Sequence, residues 1–275
     1  MFNKSQLTSK KFSKKRRNFF FIKIFFLSSL LVAFFFSASY LLENAKINIE
    51  KIEIKGNLIV EQETIRKVAA GELSGKYFSL VPKKNTFLYP KKNIEQKIKD
   101  QEKRIQSIIF ERIGMTAVLL TVIERQPKFL WCDDFTAISE ECYFIDETGF
   151  IFSKAPKFSD DVYFRFYGGG ARQDAIGKQY LPPHDFVRIS RFVEMTKESN
   201  IEASKLYLKE MGEYELHLQD GTRVLFMRSD DELAIFDNLK TVLQSEVFGK
   251  EVRNNPSPVD YIDLRYGNKV FYKFK

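Results

Sequence analysis

Residues 24–42 read IFFLSSLLVAFFFSASYLL, an uncharged and mostly apolar run. About 20 such residues, wound as a helix, cross the hydrocarbon core of a bilayer. The run is preceded by Lys4, Lys10, Lys11, Lys14, Lys15, Arg16, Arg17 and Lys23, and no acidic residue occurs before Glu43. Positive charge is retained on the cytoplasmic side of a membrane helix. The expectation is therefore a basic cytoplasmic tail over 1–23, a transmembrane helix over 24–42, and everything from 43 to 275 outside the cytoplasm. Lys23 sits at the inner edge, where its ammonium can snorkel to the headgroups. The tail reads as a topology signal with headgroup contact and no fold of its own.

A cleaved signal peptide has the same basic start but a shorter apolar core. Ser37-Ala38-Ser39 would supply its cleavage site, whereas the run through Tyr40-Leu41-Leu42 continues as an anchor does. The anchor also changes the meaning of the net charge of +8. Beyond residue 42 the chain carries 36 basic and 36 acidic residues, so the basic excess belongs to the tail. A nucleic-acid-binding surface needs that excess on a folded domain.

Beyond the anchor the fold class reads as α+β, in two blocks. Over 46–125, INIEKIEIK (47–55) alternates like a strand with a phase slip at Glu50-Lys51. Gly56-Asn57 turns the chain. Val60 to Leu73 then reads as a helix, with Ile65, Val68, Ala69 and Leu73 on one stripe. Pro90 opens a second helix to about Gln101, and strands follow at Ile105–Ile113 and Thr116–Arg125. The expected order is β-α-α-β-β.

The block over 126–275 reads as strand-rich with two helices. One helix spans Asp185 to Glu198. The other is opened by a capping box at Ser229-Asp230-Asp231-Glu232 and runs to about Phe248. Hairpins are expected at CYFIDETGFIF (142–152), at Asp220-Gly221, and through Gly267-Asn268 between Tyr261–Tyr266 and Lys269–Phe274.

Motifs of catalysis are hard to find in this sequence. His184 lies in a loop after Pro182-Pro183, and His217 falls on the polar phase of its strand, so both read as exposed residues. No Ser-His-Asp order, HExxH, zinc spacing or phosphate-cradling loop is present. Gly168-Gly169-Gly170 lacks a strand-to-helix context and reads as a turn. The expectation is a protein that is not an enzyme, with no catalytic residues, cofactor, metal, nucleic acid or small-molecule substrate. Cys132 and Cys142, the only cysteines, lie ten positions apart in the exported part. Export favours a disulfide between them, with two separately buried thiols as the alternative.

The stretches IEKIEIKGN, VEQETIRKVA, GKYFSLVPKKNTFLYPKKNIEQKI, VIERQPKFLW, CYFIDETGFIFSKAP and YIDLRY, in this order, resemble the FtsQ/DivIB family of bacterial cell-division proteins. The resemblance covers nearly the whole chain. It implies a basic tail, one membrane helix, a POTRA domain over 46–125 and an FtsQ-type β domain over 126–275. It also implies a divisome scaffold at the septum that binds FtsB/DivIC-like and FtsL-like division proteins and supports septal peptidoglycan synthesis. In the family a partner adds a strand beside the last β-strand. The matching positions here are Arg265 and Tyr266, with Val270, Phe271 and Tyr272 on the strand that follows. The Cys pair and the segment between Ala155 and Asp185 depart from the family pattern. The runner-up reading is a POTRA-containing envelope transport or secretion component. Such proteins usually carry several POTRA repeats or a membrane barrel, and neither pattern is present in the sequence. An envelope hydrolase is disfavoured by the missing catalytic constellation.

Overall fold

A computed structural model of the chain describes residues 10–42, 45–133, 140–158, 162–169, 174–255, 258–267 and 269–275. The first nine residues of the basic tail, Gly170, and Asn268 of the expected terminal turn lie outside the described residues. The chain forms two compact units, Met1–Ile123 and Glu124–Lys275. A single long apolar N-terminal helix is followed by mixed α and β structure in several sheets.

Helix α1 covers Lys10–Leu42, and its apolar window runs Phe19–Ser37, long and apolar enough to cross a membrane. The window starts before residue 24 and takes in Lys23, whose ammonium sits 5.2 Å from the Phe19 ring centroid. The tail from Lys10 onward is helical, because a helix nucleated by the apolar run propagates through Lys and Arg at little cost.

The rest of the first unit contains β1 (Lys51–Lys55), α2 (Gln62–Leu73), the two-residue strands β2 (Lys76–Tyr77) and β3 (Val81–Pro82), α3 (Lys91–Gln101), β4 (Ile105–Ile113) and β5 (Ala117–Glu124). Its main sheet has the order β1-β5-β4, with β1 parallel to β5. Ile65, Ala69 and Leu73 of α2 and Ile94 and Ile98 of α3 supply one side of the core, and Ile105, Val118, Leu120 and Val122 supply the other. The helical stripes are what bury: residues three and four apart share one face. The first strand is shorter than INIEKIEIK suggests. Ile47 closes a 3-10 turn over Ala45–Ile47, and Ile49 is buried but lies outside the strand. The phase slip at Glu50-Lys51 marks the strand's beginning.

The second unit contains β6 (Phe129–Cys132), β7 (Cys142–Ile145), β8 (Ile151–Lys154), β9 (Arg165–Gly168), α4 (Pro183–Glu198), β10 (Ala203–Leu208), β11 (Glu213–Leu218), β12 (Arg223–Met227), α5 (Glu232–Gln244), α6 (Glu246–Asn254), β13 (Val259–Tyr266) and β14 (Lys269–Phe274). The strands form one nine-stranded mixed sheet in the order β14-β13-β12-β11-β10-β9-β6-β7-β8. One row of registered residues crosses most of it: Trp131, Phe166, Leu206, Leu216, Val224, Ile262 and Tyr272. All but Tyr272 are fully buried, in one cluster with Phe186 and Phe192 of α4, Leu239 of α5 and Phe248 of α6. Strand side chains alternate, so the neighbouring row falls on the opposite face: Cys132, Tyr167, Tyr207, Glu215, Leu225, Asp263 and Phe271.

Among the described residues the unit has three helices, not two. Ser245 ends α5 and caps α6, its hydroxyl accepting from the Phe248 backbone N–H at 3.2 Å, so the expected single helix to Phe248 breaks there. The cap of α5 is Asp231, which accepts from Leu233 N at 3.0 Å, while Asp230 accepts from Met227 N at 2.8 Å.

Candidate functional site

The two edges of the large sheet are finished differently. On the β8 edge, Ile151 N donates to Lys178 O at 2.9 Å and Gly177 N donates to Ile151 O at 2.7 Å. Phe150 forms an isolated bridge with Gln179. A loop thus occupies the backbone groups at the start of that edge, at Phe150 and Ile151. On the other side β14 pairs with β13 alone, and among the described residues no strand lies beyond it. An open edge presents backbone donors and acceptors that another strand can satisfy.

The side chains of β14 alternate in and out. Val270, Tyr272 and Phe274 pack against the core, with the Tyr272 ring 5.1 Å from Phe248 of α6 and its hydroxyl donating to Glu251. That hydrogen bond, with lesser burial, holds the Tyr272 phenol above its ordinary pKa. Phe271 points to the opposite face and is 50% exposed. Tyr266 is 59% exposed and meets the Phe271 ring edge-on at 5.3 Å. The five residues singled out in the sequence therefore fall on two faces of one edge. Tyr266 and Phe271 form an exposed aromatic pair, and Val270 and Tyr272 hold the strand to its own core.

Arg265 is engaged within the chain. Its Nε lies 2.8 Å from Asp263 Oδ1, its Nη2 lies 2.6 Å from Asp263 Oδ2, and its Nη1 donates to Glu213. Burial pushes the Asp263 carboxyl up, yet the hydrogen bonds from Arg265 outweigh it and hold the carboxyl below the usual range. Spacing of i,i+2 on a strand puts both side chains on one face, a signal that was available in YIDLRY. Glu213, from β11, was not legible there, because the sheet order brings it in.

The same face continues as a ladder of charges. Lys209 pairs with Glu213 at 3.5 Å and also with Glu215. His217 Nε2 lies 2.8 Å from Glu215 Oε1, and Arg223 Nη2 lies 2.7 Å from Asp260 Oδ1. His217 is thus partly buried beside a carboxylate, not the exposed strand residue expected from its phase. The His217 ring, then the Lys209 ammonium, holds the Glu215 carboxyl at about 2 against the opposing effect of burial.

The chain matches no protein-family model. No curated protein matches it either.

Cys132 and Cys142 face each other across the β6–β7 pair and are joined by a disulfide of 2.06 Å. Together with Glu140 they are a close group of possible metal donors among the described residues, but both sulfurs are used in the bridge. Glu140 instead accepts from the Tyr167 hydroxyl. Gly168 and Gly169 have positive φ, and a Cβ on Gly168 would stand 2.1 Å from the Leu208 carbonyl oxygen. The glycine there lets β9 approach β10, and its carbonyl accepts from Trp131 Nε1 at 3.0 Å.

Proposed function

We propose that the chain is a membrane-anchored, non-enzymatic divisome scaffold of the FtsQ/DivIB type. In this reading α1 spans the cytoplasmic membrane with the basic tail inside. The remainder of the first unit is the POTRA domain, and the second unit is the β domain, both outside the cytoplasm. An extended segment of an FtsB/DivIC-like partner, itself assembled with an FtsL-like protein, adds as a further strand beside β14. The complex supports septal peptidoglycan synthesis.

The open β14 edge supports this reading most directly, since the opposite edge is bonded at its start by a loop of the same unit. Strand addition supplies affinity through main-chain hydrogen bonds, and pockets or exposed side chains at alternate positions supply specificity. Tyr266 and Phe271 are suited to that second role, because an exposed aromatic pair offers large contact area for few rotatable bonds. Arg265 already binds two carboxylates, so its role is to fix the end of β13 and present Tyr266.

A photocrosslinker at Phe271 in living cells, with the trapped protein identified, tests the reading. A small bitopic division protein is the expected product, and depletion of the chain should give filaments without septa. Normal septation on depletion, with crosslinks to export machinery, overturns it.

A further inference from the structure

Between Gly75 and Lys92 the chain carries five lysines and no acidic residue, around the apolar stretch YFSLVP. The fold gathers part of this segment into the β2–β3 hairpin, closed by Leu80 N donating to Tyr77 O at 2.9 Å. Both central residues of the turn, Phe78 and Ser79, have positive φ, at 48° and 62°. Glycine or asparagine is the ordinary occupant of such positions, so a phenylalanine there is held at a conformational cost. Its ring gains no burial in the chain, being 96% exposed.

The hairpin also has a fixed height. Ser39 Oγ, in the last turn of α1, donates to Leu80 O at 2.6 Å. Ser39 stands two residues past the apolar window ending at Ser37, which at the helical rise is about 3 Å. Ser39 lies between the end of that window at Ser37 and the end of the apolar run at Leu42, so the Leu80 carbonyl stands beside the stretch over which a spanning α1 leaves the hydrocarbon. Asn48 Nδ2 reaches Leu42 O at 3.4 Å and so ties the helix end to the chain that follows. Lys76 and Lys84 are exposed and Lys83 is half-buried on this hairpin and the residues after it, with the Lys83 ammonium 6.0 Å from the Tyr77 ring centroid.

We propose that this hairpin tip is a second membrane contact, with Phe78 inserted into the interfacial region of the leaflet that α1 leaves. Lys76, Lys83 and Lys84 face anionic headgroups around it. The occupant is the lipid surface itself. Ser39 holds the turn at interfacial depth, an exposed aromatic side chain favours that layer, and the surrounding charge has the sign that attracts anionic lipid. Such a contact restrains the first unit against the bilayer at two points, α1 and the tip. The lysines lie more than thirty residues beyond α1 in sequence, and only folding brings them to its exit.

The inference rests on α1 spanning the bilayer, as in the function proposed above, and the test separates the two. Full-length chain is reconstituted in vesicles of phosphatidylcholine with a minority of phosphatidylglycerol. An environment-sensitive label is placed on Ser79→Cys, on Leu30→Cys in α1, or on Met211→Cys, which is 96% exposed in the other unit. The Ser79 label should be quenched by iodide several-fold less than the Met211 label and should respond to nitroxides attached to lipid headgroups. Adding Phe78→Asp should restore iodide access at Ser79 to the Met211 level. A Ser79 label as open to iodide as Met211, or shielding that survives Phe78→Asp, overturns the membrane contact. If the Leu30 label is itself open to iodide, the anchor fails and the contact falls with it. A shielded Leu30 with an open Ser79 refutes only the contact.

Discussion

Arg265 grips Asp263 in a two-pronged pair, Nε to Oδ1 at 2.8 Å and Nη2 to Oδ2 at 2.6 Å, while its backbone N–H donates to the same Oδ1 at 3.1 Å. Asp263 is buried, so its charge depends on this partner. Arg265→Ala should cost about 1–3 kcal/mol, read as a lower denaturant midpoint of the purified chain. Arg265→Glu should cost more, because it sets a third carboxylate beside Asp263 and Glu213. Equal stability of the two variants would argue against the pair.

The aromatic pair on the β14 edge separates binding from folding. Tyr266→Ala combined with Phe271→Ser removes two exposed rings and little core. Thermal melting should change by less than about 1 kcal/mol in equivalent stability, while co-purification of the strand-adding partner falls at least tenfold. Retained binding would place specificity elsewhere on the edge.

The Cys132–Cys142 bridge closes a short loop between two paired strands. Replacing both with alanine should lower stability by ~2–3 kcal/mol, chiefly by freeing the unfolded chain. The bridged chain, denatured without reductant, should expose no reactive thiol. Labelling of both cysteines under those conditions would refute the bond.

Glu215 gives the sheet a component of acid sensitivity. Its carboxyl is lowered from 4.5 to about 2, the adjacent His217 ring being the largest cause. The unfolded chain therefore takes up the proton at higher pH than the folded one. This contribution is fully present above the unfolded value and is lost as pH falls through that interval toward 2. Glu215→Gln should flatten the stability profile between those pH values, in urea titrations of the full chain. An unchanged slope would mean that the ladder does not hold this charge in the fold.

Gly168→Ala tests the close approach of β9 to β10. The added methyl meets the Leu208 carbonyl oxygen, and the positive φ is unfavourable for alanine. The loss should be at least ~2 kcal/mol in denaturant unfolding, and the Trp131 emission should shift as its bond to the Gly168 carbonyl is disturbed.

Local patterns were legible where neighbours along the chain decide the outcome. The helical stripes Ile65-Ala69-Leu73 and Ile94-Ile98 bury as their spacing requires, because a helix puts residues three and four apart on one face. The strand Ile105–Ile113 has the bounds its alternation indicates. The helix break at Ser245 was missed because an apolar stripe can run straight through a cap residue. The partly buried state of His217 was missed because strand phase assigns a face but not what covers it.

The sequence by itself determined the apolar helix, the confinement of the basic excess to its N-terminal side and the period of the later elements, since charge, length and spacing are properties of the linear chain. Only the tertiary structure decided which residues share a site. Sheet order brings Glu213 to Arg265, leaves β14 without an outer strand among the described residues while a loop bonds the start of β8, and pairs Cys132 with Cys142 across two strands. It also sets the Phe78 turn against the end of α1 through Ser39 and Leu80, residues 41 positions apart. Those contacts join distant segments, and they exist only once the chain has closed the loops between them.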